Sequence, residues 1–483
     1  ATVVMETPAR QPLVAIFTSP GTGHRIPALD LAKRLVSQHA VSVTLFFVTL
    51  PTTSPDELQL LRIPHAPPYR DLLRAVALPP VDISDLVPSD ASMVTQIIVS
   101  MREACTALRS SLSALDAPPT ALIADFFGFD GCAVAHDLGI PAYIYFPGSA
   151  WFLVLTCWLP ILDMEVEGEY VAQKEPLRLP GCRSVRPEDV IEPMMDRSDQ
   201  QYGEYVRLGA GIVKADGFIL NTWDELEPQT FLALMENEAL RKLVHAPLYP
   251  LGPLARAVEP ENLMCELGDW LDRQPAGSVI FVSFGSGGRL SAEQTEEMAW
   301  GLERSRHRFV WAVRAPAVID GGEAPVEYLP EGFSDRTGRV GRLVSGWATQ
   351  REILEHPSVG GFLSHCGWNS SVESISSGVP MIAWPLRAEQ MMNATLLVEE
   401  IGVALRPKGL PSPSSAAVVG RAEIERVVEA LMAEDSEEGE AVRKKAAELR
   451  CRAAAALAGG GCCDDMLRRF VDTCRNGVTG TPV

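Results

Sequence analysis

Short apolar runs recur along the chain, each followed by a turn or an amphipathic stretch. "LVAIFTS" (Leu13–Ser19) precedes a helical "IPALDLAKRLVSQ", and "SVTLFFVTL" (Ser42–Leu50) comes next. "TALIADF" (Thr120–Phe126) and "IPAYIYF" (Ile140–Phe146) repeat the theme, with a helical stretch between them ending near Gly139. Runs without polar alternation are buried on both faces, as parallel strands covered by helices are. The pattern restarts after "YPLGPL" (Tyr249–Leu254), whose prolines and glycine read as an interdomain linker. Beyond it lie "SVIFVSFGS" (Ser278–Ser286), "RFVWAVR" (Arg308–Arg314), "GRLVSGW" (Gly341–Trp347), "VGGFLSH" (Val359–His365) and "PMIAW" (Pro380–Trp384). The fold class is therefore α/β, with two doubly wound domains in tandem, expected over 1–250 and 251–461. A final helix over 462–483 follows the glycine hinge Gly459–Gly461 and is expected to pack back on the first domain.

One segment, Tyr143–Leu162, is uncharged for long enough to span a bilayer. Pro147 and Gly148 break it, so it reads as a buried strand, a loop and a core helix, and no membrane span is expected. Acidic residues outnumber basic ones, 62 against 42, which argues against nucleic acid as a partner. Ten cysteines without a C-x-x-C pair fit a reduced, cytoplasmic compartment.

"SHCGWNSSVES" (Ser364–Ser374) concentrates hydrogen-bonding groups directly behind an apolar run. His365 ends a predicted strand, and Gly367-Trp368-Asn369-Ser370 opens a predicted helix that Gly378 terminates. A helix N-terminus offers unpaired N–H groups and the positive end of a dipole, so it suits a phosphate. Glu373, one turn on, can accept from sugar hydroxyls. The stretch reads either as a cradle for a phosphorylated sugar or as a helix cap with a core tryptophan.

From Trp347 to Gln390, "WATQREILEHPSVGGFLSHCGWNSSVESISSGVPMIAWPLRAEQ" resembles the signature box of plant UDP-dependent glycosyltransferases. The resemblance extends through "SPGTGH", "PTALIADFFG", "FILNTWDELEP", "FVSFGSGG" and "AEQMMNATLL", and is closest to the branch that glucosylates phenylpropanoids such as hydroxycinnamyl alcohols. It implies a GT-B fold, with the acceptor on the N-terminal domain and UDP-glucose, the co-substrate, on the C-terminal one. It further implies that Trp347 stacks on uracil beside Gln350, and that Glu373 binds the ribose. His365, Asn369, Ser370, Ser286 and Ser19 would hold the diphosphate. Trp368, Glu389, Gln390 and Ser149 would read the sugar. No D-x-D pattern is present, so no metal and no separate cofactor are expected, and the leaving UDP would be stabilised by helix and side-chain donors.

His24 is the candidate catalytic base, in a glycine-bearing turn after the first strand. Asp125 ends the strand that starts at Thr120 and is expected in the same crevice. A phenol with a pKa of about 10 is mostly protonated at neutral pH, so a positioned base assists its attack. Asp125 would hold the imidazole's tautomer, and a single displacement would yield a β-glucoside. Arg25 and Arg387 depart from the family's usual residues and are candidates to bias the acceptor toward polar or anionic compounds. The acceptor pocket is expected from loops that include Val76–Val94 and Pro316–Gly338.

Three other readings compete. A nicotinamide oxidoreductase is suggested by "GTGHRI", but Ile26 stands at the third glycine position of that fingerprint. A non-catalytic sugar-nucleotide sensor would keep the fold without the dyad. Attack through an aromatic carbon would give a C-glycoside from the same site.

Overall fold

The computed structural model describes residues 11–50, 63–254, 265–315, 328–345, 348–410 and 417–476. The apolar runs form two all-parallel sheets. In the first, β1 (Leu13–Thr18), β2 (Ser42–Phe47), β3 (Leu73–Ala77), β4 (Ala121–Asp125), β5 (Ala142–Phe146), β6 (Gly217–Leu220) and β7 (Leu248–Pro250) lie in the order β3-β2-β1-β4-β5-β6-β7. In the second, β8 (Val279–Ser283), β9 (Arg308–Val313), β10 (Gly341–Ser345), β11 (Val359–Ser364), β12 (Met381–Ala383) and β13 (Ala404–Leu405) lie in the order β10-β9-β8-β11-β12-β13. Every residue of β4, β5, β6 and β8 is buried, which is why these runs show no polar alternation. The chain has the GT-B architecture of two Rossmann-like domains.

Strand order decides where ligands can bind. It reverses between β1 and β4 in one sheet and between β8 and β11 in the other, and such switch points open a crevice beyond the strands' carboxyl ends.

Several local expectations shift. β2 stops at Phe47, short of Leu50. The first helix begins at Thr22, four residues before the predicted stretch, so His24 stands inside its first turn rather than in a preceding loop. Part of the expected linker is the edge strand β7, which pairs with β6 through Tyr249↔Ile219. Tyr143–Leu162 divides into β5 and a helix over Ala150–Glu165, and among the described residues no helix is long and apolar enough to cross a membrane. The last helix, Cys462–Asn476, crosses to the first sheet: Phe470 meets Tyr143 and Tyr249 edge-on at ring separations of 5.1 and 5.3 Å.

Candidate active site

The two switch points face one cavity of about 600 Å³ that takes its walls from both sheets' loops. On the first sheet's side, Gly21 adopts φ 98° and lets the chain turn from β1 into the helix Thr22–His39. His24 Nδ1 lies 2.8 Å from Asp125 Oδ2, at the end of β4. The other carboxylate oxygen accepts from the Phe127 N–H at 3.1 Å, so Asp125 caps the turn Phe126–Gly128 while it holds the imidazole. Burial pushes the His24 pKa down. The charge and hydrogen bond of Asp125, helped by Glu389, outweigh it and hold the value above the ordinary 6.5. The imidazole lies nearly parallel to the Phe126 ring at 5.7 Å and tilted against the Phe127 ring at 5.2 Å. With Phe152, Ile97, Pro193 and Tyr205 these rings make an apolar wall beside the base.

On the second sheet's side, β11 delivers His365 and the helix Trp368–Ser377 begins three residues later, with Gly378 closing it at φ 73°. The imidazole is boxed between glycines: a Cβ on Gly285 would stand 2.5 Å from Nε2, and one on Gly367 would collide with the same atom. Burial, then the charges of Arg387 and Arg314, lower the His365 pKa to about 4. Gln350 Nε2 donates to Ser370 Oγ at 2.9 Å and to Glu373 Oε2 at 2.7 Å. Gln390 spends Oε1 on the N–H groups of Leu386 and Arg387, at 2.9 and 3.0 Å. Glu389 lies close enough to His24 for each charge to stabilise the other, although burial raises the carboxyl's pKa first.

The cavity thus gathers His24, Ser286, Gln350, His365, Trp368, Asn369, Ser370, Glu373, Arg387, Glu389 and Gln390, with Asp125 directly behind His24. Trp347 lies outside the described residues. Three candidates turn away. Ser19 is fully buried and absent from the wall; Thr22, three residues on, takes the cleft position and meets Ser286 Oγ at 2.8 Å. Ser149 is fully buried as the cap of the helix Ala150–Glu165, accepting from the Phe152 N–H at 3.1 Å. Arg25 is buried too, donating to the Val48 carbonyl and lying 5.7 Å from the Phe47 ring centre, so it does not face an acceptor. Trp368 spends its indole N–H on the Asn221 carbonyl at 2.7 Å and its backbone N–H on the Glu389 carboxylate, so it does not offer the cavity a free donor for a sugar.

Other residues went unnoticed in the sequence. Arg314, whose guanidinium donates to the Ser286 carbonyl, adds positive charge beside the loop after β8. Glu192 joins the lobes, because Ala388 donates to its Oε2 at 2.9 Å and Ala388's carbonyl accepts from its N–H at 3.1 Å. Of the loops expected to form the acceptor pocket, Met93 and Val94 reach the wall, and residues 316–327 lie outside the described set. The aromatic wall comes instead from the turn after β4 and from long helices. "PTALIADFFG" contained that signal in its paired phenylalanines. Among the described residues no group of three His, Cys, Asp or Glu side chains is placed to hold a metal ion.

Residues 254–410 match the family described as "UDP-glucoronosyl and UDP-glucosyl transferase". The chain is 50% identical to anthocyanidin 3-O-glucosyltransferase 5 of Manihot esculenta, with 93% of each chain covered. It resembles the crystal structure of TcCGT1 in complex with UDP at a TM-score of 0.88 and 44% identity, covering 96% of this chain and 99% of that one. It also resembles Phytolacca americana UGT2 complexed with UDP-2fluoro-glucose and pterostilbene, at a TM-score of 0.85 and 39% identity over 96% and 99% of the two chains.

Proposed function

The chain belongs to the plant family of UDP-glycosyltransferases, and on that premise we propose that it transfers glucose from UDP-glucose to a hydroxyl of a small phenolic acceptor, giving a β-O-glucoside. One observation carries the reading. A histidine held by a buried carboxylate shares a cavity with a strand-to-helix junction suited to a diphosphate. The apolar aromatic wall beside His24 fits a flat aromatic acceptor, and the relatives named for anthocyanidin glucosylation or complexed with pterostilbene point to the same class.

In the proposed reaction the acceptor O–H gives its proton to His24 Nε2 as the oxygen attacks the anomeric carbon. Asp125 accepts from Nδ1–H, fixes that tautomer and stabilises the imidazolium. The bond from the anomeric carbon to the diphosphate breaks on the opposite face, which inverts the linkage. The departing charge is met by N–H groups at the start of the helix Trp368–Ser377, by Ser370 and Ser286, and by His365. Glu373 and Gln350 would take the ribose and base, and Glu389 and Gln390 the sugar hydroxyls. UDP-glucose is the co-substrate, with no separate cofactor in the scheme. The cysteine usage fits a cytoplasmic setting.

The test is incubation of the full chain with UDP-glucose and a panel of neutral and carboxylated phenols, followed by mass spectrometry. Hexosyl products cleaved by acid support the proposal. Acid-resistant hexosides would replace it with carbon–sugar bond formation, and release of UDP without any transfer to a phenol would overturn it.

A further inference from the structure

The first turn of the helix Thr22–His39 carries an irregularity that reaches the opposite lobe. In an α-helix the carbonyl of each residue accepts from the N–H four residues on. For Gly23 that position is Pro27, which has no N–H. A proline ring also crowds the carbonyl four residues before it and turns it outward. The Gly23 carbonyl accepts instead from Asn369 Nδ2 at 2.7 Å. That amide belongs to the second residue of the helix Trp368–Ser377, on the donor side of the cavity.

Asn369 is held at its other end as well. Its Oδ1 accepts from Asn221 Nδ2 at 3.2 Å. Asn221 is fully buried and tied to Leu254, accepting from the Leu254 N–H at 2.6 Å and donating to the Leu254 carbonyl at 3.2 Å. With its oxygen and nitrogen both assigned, the Asn369 amide has one orientation, which directs one N–H at Gly23 and leaves the second for a ligand oxygen.

We infer that Asn369, beyond any contact with the donor, is a positioning residue for His24, and that Pro27 makes this role possible by freeing the Gly23 carbonyl. His24 follows Gly23 directly in the chain. The bond from Asn369 therefore sets the height of the imidazole over a sugar gripped by the other lobe. A near-attack geometry tolerates little error, so the strut acts on turnover more than on donor affinity. The inference rests on the proposed role of His24 as the base.

The experiment is a double-mutant cycle. Pro27→Ala supplies an N–H inside the helix and relieves the ring's pressure on Gly23. It is made in the parent chain and in Asn369→Ala. Transfer to a phenol is followed under single-turnover conditions at saturating UDP-glucose, UDP affinity by calorimetry, and folding by thermal melting. In the parent, Pro27→Ala should slow transfer about tenfold with UDP affinity retained. In Asn369→Ala it should have no further effect, because the strut is already cut. The pH dependence should keep its midpoint, since the His24–Asp125 pair lies within one lobe. An unchanged rate in the parent, an equal slowing in both backgrounds, or a shifted midpoint would each overturn the strut. Failure of the base assignment shows differently, as near-normal turnover in His24→Ala.

Discussion

Asp125 holds His24 across 101 positions of sequence, Oδ2 to Nδ1 at 2.8 Å, from a carboxylate that is 1% exposed. The contact exists because β1 and β4 are neighbours at the switch point, with Phe17 opposite Ala124. The carboxylate cannot swing away, since its second oxygen caps the following turn through Phe127.

If His24 is the base, His24→Ala should lower transfer to phenols by about 10³-fold while UDP still binds. Asp125→Asn should cost about 10²-fold with donor affinity retained. Steady-state kinetics with calorimetric UDP titration checks both. Turnover near the parent's in either variant would remove that residue from the mechanism.

The pH profile follows from the sign of the shift. The base works in its neutral form, and its pKa is raised, so kcat/KM should climb with pH through a midpoint above 6.5. Asp125→Asn removes the charge that raises it, and the midpoint should move down. Stability runs oppositely: the pair's contribution is complete below 6.5 and is lost as pH rises through the folded-state value. A midpoint that ignores Asp125→Asn would show that another group titrates.

His365, at about 4, is neutral in the ligand-free chain at physiological pH. A diphosphate beside it would favour the imidazolium, so UDP binding should take up a fraction of a proton at about pH 5. Calorimetry in buffers of different ionisation enthalpy measures this. Gly285→Ala, which puts a methyl 2.5 Å from Nε2 and strains a residue at φ 73°, should weaken UDP binding. Zero uptake together with unchanged affinity would take His365 out of the diphosphate site.

Glu227 is fully buried and accepts from the N–H groups of Ala150 and Trp151, at 2.9 and 3.0 Å, and from Thr222 Oγ1 at 2.6 Å. Glu227→Ala leaves three donors facing nothing and should cost about 2 kcal/mol in a denaturant titration. Burial lifts its pKa from 4.5 to about 7. Its contribution is therefore greatest below 4.5 and fades as pH rises through 7, a slope that Glu227→Gln should remove. An identical pH dependence in parent and variant would contradict the assignment.

Most of the strands and the cradle's local chemistry were legible in the chain alone, while β3, β6 and β13 were not among the expected runs. Unbroken apolar runs announced parallel strands, and Gly367 and Gly378 bracketed the helix Trp368–Ser377 where it stands. Those properties depend on burial and on backbone conformations that neighbouring residues impose. Side-chain direction was another matter. Ser19, Ser149 and Arg25 occupy motif positions yet turn inward, because a place in a motif says where the backbone runs and not which face a residue presents. The apolar wall beside His24 was legible only in the paired phenylalanines after β4, since Phe126, Phe152 and Tyr205 meet only after three separate elements pack together. That the Gly23 carbonyl meets Asn369 came from packing alone, whereas the His24–Asp125 pair was already expected from the two strand ends and owes only its geometry to the fold. Both contacts join segments brought together by strand order and lobe docking, and those are set by the burial of whole faces rather than by any local pattern.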